Sequence, residues 1–353
     1  MLSDKQKAII DFVRVNQPVS RASIYEGLDQ KIGDSTIRRL LLKMTPEFIK
    51  SEGKGKATRY SISDVYELFV PIDMNAYYNL LPEDRNAKRQ FNLDLIPKVL
   101  GNAQLFTKDE LDHLDKSQDQ YTKNIAPLSK NEYAKQLEVL AIDLYWKSGE
   151  IEGNTYTLLE TEALIKYKEL AEDKKREDAI MLLNHKDALD FIIAEPNYLN
   201  PLKLSRIEDV HSILIKDLGV ERNIRKRGVG VTGTDYEPLS IEQQIKDVLQ
   251  QMCGLINSKI NVFEKALLLL VLLSYIQAFN DGNKRTARII CNAILMENGY
   301  CPLSFRSVRA SDYKKAMLLF YEQNNITELK KIFISQYDYA VNKYFSLEPK
   351  VTK

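Results

Sequence analysis

A short polar stretch follows the most apolar run of the chain and gathers residue types that bind anions. The stretch FNDGNKRTAR, Phe279 to Arg288, comes directly after the apolar run Ala266 to Ile276. Asn280 to Lys284 predict a tight turn, and a helix is expected to begin at Arg285. Free backbone N–H groups at such a helix start, beside cationic side chains, form a typical phosphate site.

Two further side chains of this stretch make the predicted ligand more specific. Arg288 lies one helical turn beyond Lys284 and Arg285, so it can reach the same region. Asp281 would repel phosphate unless it held a divalent cation that bridges phosphate oxygens. The stretch therefore predicts a nucleotide-phosphate site with Mg²⁺. The same spacing also fits a structural corner between two helices, in which the arginines form ion pairs.

A glycine-rich segment, RGVGVTGTDYEP, satisfies the pattern G-x-G-x-x-G with Gly228, Gly230 and Gly233. As a dinucleotide fingerprint the pattern must follow a strand and open a helix. Here Asp-Tyr-Glu-Pro follows Thr234, and the alternating Val229 and Val231 favour a hairpin. The segment is predicted to be a glycine-rich hairpin whose backbone lies over an extended ligand.

Three segments, in this order along the chain, resemble motifs of the Fic (Fido) family. SGEIEGN, Ser148 to Asn154, fits the inhibitory motif S/T-x-x-x-E-G/N. VGVTGTDYEP resembles the flap that positions the backbone of a target protein. FNDGNKRTAR, about 125 residues after the first motif, is similar to the signature F-x-D/E-G-N-G/K-R-x-x-R. The resemblance covers roughly residues 135–345 and implies a helical Fic fold with an N-terminal inhibitory helix.

The resemblance implies a role for individual residues. Asp281 would coordinate Mg²⁺ at the phosphates of ATP, and Arg288 would orient the γ-phosphate. Glu152 would pair with Arg288 and leave ATP in a non-productive pose, with Ser148 and Gly153 supporting its turn. The implied nucleotide-binding residues are Gly282, Asn283, Lys284, Arg285, Thr286, Ala287 and Arg288, Thr232, Gly233 and Thr234 of the flap, and Tyr313, Lys314 and Tyr321 of a later helix.

Gln277 departs from the family pattern at the position of the catalytic histidine. In Fic enzymes that histidine takes the proton from a target Ser, Thr or Tyr hydroxyl as its oxygen attacks the α-phosphate of ATP. A glutamine amide has no basic lone pair near neutral pH, and loss of a general base costs about 10²–10⁴ in rate. We expect weak or lost protein adenylyltransferase (AMPylation) activity. Removal of AMP by a water that Glu152 activates is a further alternative.

The histidines elsewhere in the chain offer no evident replacement base. His113 lacks a partner at metal-ligand spacing and is expected at the surface. His185 and His211 have core-like helical spacing and are expected to be structural.

Helical periodicity dominates the chain, so the predicted fold class is mainly α. Residues 1–64 predict a winged helix-turn-helix domain, 65–130 a helical connector, and 131–347 a Fic domain with a short β-hairpin flap. The predicted helices of the last domain are 131–149, 155–172, 177–193, 204–217, 240–257, 261–279, 285–298, 310–323 and 326–345.

The N-terminal 60 residues carry 12 Lys and Arg against 7 Asp and Glu, although the whole chain of 353 residues has a net charge of only +1. If this head is a winged helix, Ser35, Thr36, Arg38 and Arg39 lie near the start of its recognition helix. The second predicted function is therefore a DNA-binding regulator whose Fic domain senses nucleotide or dimerises. A solvated, protein-binding head is the competing interpretation.

Cysteine usage and hydropathy suggest a compartment. Three cysteines form neither an even framework nor a CxxC pair, which favours a reducing cytoplasm. The apolar runs are shorter than the roughly 20 residues of a membrane helix. The expected partners are ATP, an unidentified protein target, DNA and a second copy of the chain, and no membrane.

Overall fold

The computed structural model describes residues 2–28 and 31–345. The predicted domains 1–64 and 131–347 extend onto residues 1, 29–30 and 346–347, which lie outside the described residues. None of the helices in the described ranges is long and apolar enough to cross a membrane.

The N-terminal head consists of three helices followed by a two-stranded hairpin. Serine side chains accept hydrogen bonds at the starts of the first two helices, and Ser3 forms a capping box with Gln6. The strands are antiparallel, with Ile49 opposite Ile62, and the head encloses its own hydrophobic core. The elements are α1 (Asp4–Asn16), α2 (Arg21–Gly27), α3 (Asp34–Met44), β1 (Ile49–Glu52) and β2 (Arg59–Ile62).

The connector is helical, as predicted, but its helices are short except for the last. Thr107 and Glu110 form a capping box at the start of the last of them, because each side chain bonds the other residue's backbone N–H. The elements are α4 (Asp64–Glu67), α5 (Met74–Tyr78), a π-helical segment (Leu95–Leu100) and α6 (Lys108–Ile125).

Helices dominate the rest of the chain, and the mainly α fold class is confirmed. They are α7 (Lys130–Ile151), α8 (Leu158–Tyr167), α9 (Arg176–Ala194), α10 (Leu204–Leu214), α11 (Glu242–Ser258), α12 (Val262–Ile276), α13 (Asn283–Glu297), α14 (Ala310–Gln323) and α15 (Thr327–Tyr344). α12 lies at the centre: every residue from Ala266 to Ile276 is buried. α13 packs along it, so the loop between them is held by the most rigid part of the core.

Three helices end three or more residues earlier than predicted. α10 stops at Leu214 rather than residue 217, and the other two stop because one residue leaves the right-handed region. α8 stops at Tyr167 rather than residue 172, since Lys168 has a φ of +62°. α12 stops at Ile276 rather than residue 279, since Gln277 has a φ of +51°. A left-handed residue ends helical hydrogen bonding. In α12 this turns Gln277 out of the helix.

The glycine-rich segment is not a hairpin, which corrects the sequence prediction. Within the described residues 224–240 there are no paired strands, and the backbone is extended around a turn at Thr232–Thr234. Glu237 instead forms an isolated bridge with Gln90, and its N–H donates to the Arg89 carbonyl at 2.6 Å. The backbone of the segment therefore pairs with the connector, whereas the prediction paired it with itself. Residues 228–237 are called the flap below.

Candidate functional site

The loop between α12 and α13 is closed by one amide side chain. Asn283 Nδ2 donates to the Phe279 carbonyl at 2.8 Å, and Asn283 Oδ1 accepts from the Phe279 N–H at 2.9 Å. Gly282 adopts a φ of +84°. A Cβ there would lie 3.1 Å from Ile215 Cγ2 and 3.3 Å from two atoms of the His211 ring. The loop thus needs glycine for its backbone conformation and for space.

A cavity of about 480 Å³ opens beside this loop. Its walls are the loop, the end of α7, the flap and one face of α14. The lining residues are Ile151, Glu152, Gly230, Val231, Thr232, Gln277, Asn280, Asp281, Gly282, Asn283, Lys284, Arg285, Tyr313, Lys314, Met317, Leu318 and Tyr321.

The start of α13 is open to this cavity. Gly282 is its N-cap, and among the described residues no side chain caps the helix. The first N–H groups of a helix have no intrahelical partner, and they carry the positive end of the helix dipole. Lys284, in the first turn, keeps 26% of its side chain exposed. This arrangement favours an anion.

Glu152 occupies the cationic wall of the cavity. It is the C-cap of α7, and its carboxylate contacts Arg288 Nη2 at 2.8 Å and Lys284 Nζ at 3.3 Å. Burial by itself raises the pKa of the Glu152 carboxyl, but Arg288 and Lys284 outweigh it and hold that pKa at about 2. Glu152 is therefore ionised at neutral pH and neutralises cations that an anion would otherwise meet.

Ser148 connects this ion pair to a buried histidine. His185 Nδ1 lies 2.8 Å from the Met181 carbonyl, which can only accept, so Nδ1 carries the proton. The Ser148 hydroxyl then donates to His185 Nε2 at 2.8 Å and accepts from Arg288 Nε at 2.8 Å. Burial, with a contribution from Arg285, lowers the pKa of His185 to about 3, so the ring stays neutral. The chain from Met181 to Arg288 holds the guanidinium in one orientation.

Arg288 still has unused hydrogen-bonding capacity. It is fully buried, its Nη2 bonds Glu152 and the Ser148 carbonyl, and it lies 5.5 Å from the centre of the Tyr313 ring. Within the described part of the chain, Arg288 Nη1 and the Tyr313 hydroxyl are buried atoms without a hydrogen-bond partner. Burial raises the pKa of Tyr313 to about 12, although Arg288 lowers it, so Tyr313 remains a donor. Two such donors side by side point to an acceptor-rich ligand.

Asp281 is the residue through which a cation could be held. Its carboxylate lines the cavity with 59% of the side chain exposed, and Oδ2 contacts Arg285 Nη2 at 2.5 Å. The described residues contain no group of three or more side chains suited to a metal. One carboxylate nevertheless fits Mg²⁺ in a nucleotide site, where phosphate oxygens and waters supply the other ligands. The geometry suits a cation that arrives with its nucleotide.

Gln277 makes three hydrogen bonds in the loop. Its Nε2 donates to the Ser274 carbonyl at 2.7 Å and to the Tyr321 hydroxyl at 3.3 Å. Its Oε1 accepts from Asn283 Nδ2 at 3.2 Å. The amide thus braces the loop from the cavity wall. It presents no group that can take up a proton near neutral pH.

The structure brings most of the predicted residues to this cavity but not all. Gly153 follows Glu152 and has a φ of +96°. The predicted flap residues Gly233 and Thr234 lie in the turn of the flap. The predicted site residues that do not line the cavity are Ser148, Gly153, Gly233, Thr234, Thr286, Ala287 and Arg288. Of the other histidines, His113 is exposed and lies 2.7 Å from Asp338, whereas His211 is buried, stacks on Phe279 and reaches the Asp281 carbonyl at 2.9 Å.

Sequence reasoning missed residues that shape the site from a distance. Arg225 is fully buried; its Nε donates to the Gln277 carbonyl at 2.6 Å, and its N–H donates to the Ala278 carbonyl at 3.0 Å. It also bonds the carbonyls of Arg227 and Leu239 at the two ends of the flap. Arg225 stands in the basic run Arg225-Lys226-Arg227, and nothing in that run distinguishes it from its two neighbours. Met317 and Leu318 of the cavity wall carried only the ordinary pattern of a helix.

Comparison with known proteins places this fold and loop in one class. Residues 201–295, from before α10 to within α13, match the model of the Fic/DOC family. The chain therefore contains a Fic/DOC domain. The protein adenylyltransferase Fic of Nematostella vectensis is 26% identical over 222 residues, which cover 61% of this chain and 51% of that protein. A probable protein adenylyltransferase of Aquifex aeolicus is 31% identical over 101 residues, 28% of this chain and 31% of that protein.

Solved structures show the same fold. The Fic-1 protein of Caenorhabditis elegans superposes with a TM-score of 0.59 at 17% identity, covering 67% of this chain and 72% of that one. A Fic-domain protein of Bacteroides thetaiotaomicron has a TM-score of 0.55 at 20% identity, covering 67% and 99%. The chain spans between about a third and a half of the length of the curated relatives that it matches.

Proposed function

We propose that this protein binds ATP with Mg²⁺ in the cavity beside the α12–α13 loop, held shut by Glu152, and that Gln277 leaves it with weak or no transfer of AMP. The observation that carries the proposal is the pair of contacts from Glu152 to Arg288 and Lys284. An acid on the cationic wall of an open helix start competes directly with a phosphate group. The relatives named protein adenylyltransferases support ATP as the nucleotide.

The proposed binding mode assigns a part to each wall. The N–H groups that begin α13 and Lys284 would hold the phosphates. Arg288 would offer Nη1, and Nη2 once Glu152 withdraws, to the terminal phosphate. Tyr313 would donate its free hydroxyl. Mg²⁺ at Asp281 would neutralise charge on the phosphates as AMP is transferred.

The chemical step of AMP transfer requires a proton acceptor. A hydroxyl oxygen of the target bonds to the α-phosphorus, the bond to pyrophosphate breaks, and the hydroxyl proton must leave. Gln277 stands at the end of α12, where the resemblance to Fic enzymes places a histidine, and its amide cannot accept that proton. The step is expected to be slow for this reason rather than through loss of ATP.

Four proteins test the proposal: wild type, Glu152→Gly, Gln277→His, and the variant with both changes. We expect Glu152→Gly to bind ATP with Mg²⁺ more tightly than wild type in calorimetry, because Arg288 and Lys284 are released. With ATP labelled at the α-phosphate, we expect the double variant to label its own hydroxyl groups about 10²-fold or more faster than Glu152→Gly. The left-handed backbone at residue 277 tolerates histidine.

The matched control is Glu150→Gly, which makes the same change two residues before Glu152. Glu150 pairs with Lys147 and does not line the cavity, so its loss should leave ATP affinity unchanged. Equal labelling by Glu152→Gly and the double variant would show that Gln277 does not limit transfer. Failure of Glu152→Gly to bind ATP would refute the nucleotide site itself.

A second role, DNA binding by the head, is favoured by one observation. Ile37, Leu41 and Met44 of α3 are buried, so the opposite face is left outward. Ser35, Arg38 and Arg39 lie exposed there. An exposed basic helix face beside a hairpin resembles the recognition element of winged helices. Salt-dependent retardation of DNA fragments on a gel is the measurement that tests this role.

A further inference from the structure

The flap tip is tied to the connector by a buried arginine. Arg85 is 8% exposed, and its Nη1 donates to the Gly233 carbonyl at 3.1 Å. Its Nε donates to the Leu80 carbonyl at 3.1 Å, and its guanidinium lies 4.7 Å from the centre of the Tyr78 ring. Gly233 lies in the turn of the flap, and the three residues before it, 230–232, line the cavity. Arg85 itself does not line it.

The charge of Arg85 is matched inside the protein. Nη1 lies 3.3 Å from Glu322 Oε1, and Glu322 is fully buried at the end of α14. The second oxygen of Glu322 accepts from the Tyr77 hydroxyl at 2.7 Å. A buried arginine with an acidic partner and two carbonyl acceptors is held in one geometry by its planar fork. The flap tip therefore rests on a rigid support that starts from α14.

The ion pair that another connector residue makes with the flap is exposed. Arg89 pairs with Asp235 at 3.2 Å, but 64% of the arginine side chain is exposed. Exposed ion pairs of this kind contribute little. Of these two connector side chains, Arg85 is the buried one and it bonds the flap tip, whereas the backbone bond from Glu237 to Arg89 holds the flap four residues further along.

We propose that Arg85 is a positioning residue: by holding the Gly233 carbonyl it sets the height and register of flap residues 230–232 over the cavity, and so the orientation of an extended substrate segment laid along them. It does this without touching nucleotide. The proposal deepens the proposed function, since the oriented segment is the protein that would receive AMP.

Arg85→Lys is the test variant, because lysine keeps a positive charge beside Glu322 but cannot also reach the flap and Leu80 carbonyls as the guanidinium does. In wild-type background we expect hydrogen–deuterium exchange of the Tyr236 and Glu237 amides, which donate to Thr234 Oγ1 and to the Arg89 carbonyl, to accelerate about tenfold or more as the flap loosens. Exchange of buried α12 should not change. Unchanged exchange of the flap would overturn the proposal.

In the Glu152→Gly/Gln277→His background, adding Arg85→Lys should reduce labelling of hydroxyl groups while ATP affinity stays within about twofold of its parent. A parallel loss of ATP affinity would overturn the proposal, since Arg85 would then act on the nucleotide site. If flap exchange became faster but no variant, including the parent, were labelled, AMP transfer would be refuted. The role of the hydrogen bond from Arg85 to Gly233 would still be supported. The two ideas therefore fail in different ways.

Two controls separate position from stability. Arg89→Lys changes the exposed neighbour on the same segment and should leave flap exchange unaltered. Glu322→Gln removes the ion pair but leaves Arg85 its bonds to the Gly233 and Leu80 carbonyls, so it should lower the melting temperature and accelerate flap exchange much less than Arg85→Lys does. If Glu322→Gln accelerated flap exchange as much as Arg85→Lys, general loosening would explain both and the proposal would be wrong.

Discussion

Glu152 is the residue at which charge, burial and position combine. It follows the last residue of the 22-residue helix α7. Its carboxylate contacts Lys284 and Arg288 of α13, which lie more than 130 residues further along the chain. The ion pair with Arg288 is buried on the arginine side and 18% exposed on the glutamate side. Removing one partner of such a pair leaves a buried charge uncompensated. That uncompensated charge would attract a phosphate group.

The pH dependence of the proposed competition between Glu152 and ATP follows from the pKa of Glu152, which is lowered from its ordinary value to about 2. A lowered pKa means that the charged form contributes above the ordinary pKa, and that its contribution is lost as the pH falls through the lowered one. We expect the ratio of ATP affinities, Glu152→Gly over wild type, to stay constant from pH 8 to about pH 5.5.

Calorimetry of ATP binding to both proteins at each pH would measure this ratio. The titration of the nucleotide itself cancels, because it is the same in both experiments. A ratio that falls towards one at about pH 5.5 would mean that Glu152 is already protonated there, against the strong pairing with Arg288 and Lys284.

At the scale of elements, the site depends on the change of direction between α12 and α13. α12 is buried at every residue from Ala266 to Ile276 and cannot move without disturbing the core, so the loop has a fixed starting point. Gln277 and Gly282 both take left-handed backbone conformations, and Asn283 closes the loop between them. The open start of α13 faces the cavity only because these three residues turn the chain within a few positions.

Gly282→Ala should destabilise the protein and weaken ATP binding. The left-handed backbone costs about 1–2 kcal/mol for alanine, and crowding against Ile215 and His211 adds about 1 kcal/mol or more. Gly299→Ala is the matched control, since Gly299 also has a positive φ, +74°, but a Cβ there meets nothing within 4 Å. Urea denaturation would report the free energy of unfolding of each variant. Equal losses in the two variants would mean that the loop relaxes at no cost.

The whole molecule joins two hydrophobic cores through a short segment. The head has its own core within residues 9–62, and the second core begins at Leu68. Asn325 Nδ2 donates to the carbonyls of Glu67 at 3.1 Å and Val70 at 2.7 Å, which fastens the segment after the head to the start of α15. The head is thus anchored at its exit while its α3 face stays exposed.

If the head binds DNA, the double variant Arg38→Ala/Arg39→Ala should weaken binding at every sequence. Two lost phosphate contacts would reduce the slope of log K against log salt by about 1.8. Lys130→Ala/Lys135→Ala removes the same charge from exposed positions of α7 and should bind as wild type does. Gel retardation of genomic fragments at several salt concentrations gives both slopes. Absence of salt-sensitive binding by wild type, or equal slopes for the two variants, would exclude DNA contact through α3.

Most helices, and the grouping of a helix start with Lys284 and Arg285, were predictable, because these features are local. The spacing of apolar residues predicts a helix, and a capping residue such as Thr107 marks where the helix starts. The turn predicted at Asn280–Lys284 is shorter in the structure, since it ends at Gly282 and α13 begins at Asn283 rather than at Arg285. Three helix ends were placed too late. Two of them follow from a positive φ at Lys168 and Gln277, which has no reliable signature in a residue that is not glycine.

Long-range contacts were decided by the tertiary structure. No spacing shows that Ser148 reaches His185, that the flap pairs with Gln90 instead of itself, or that Arg85 meets Gly233 across 148 positions of the chain. Buried polar groups take partners from whichever element the packing brings near. The sequence by itself thus determined most helices and which charged residues the loop carries. Packing decided which side chains occupy the cationic wall, because hydrogen bonds between distant segments exist only after the core has formed.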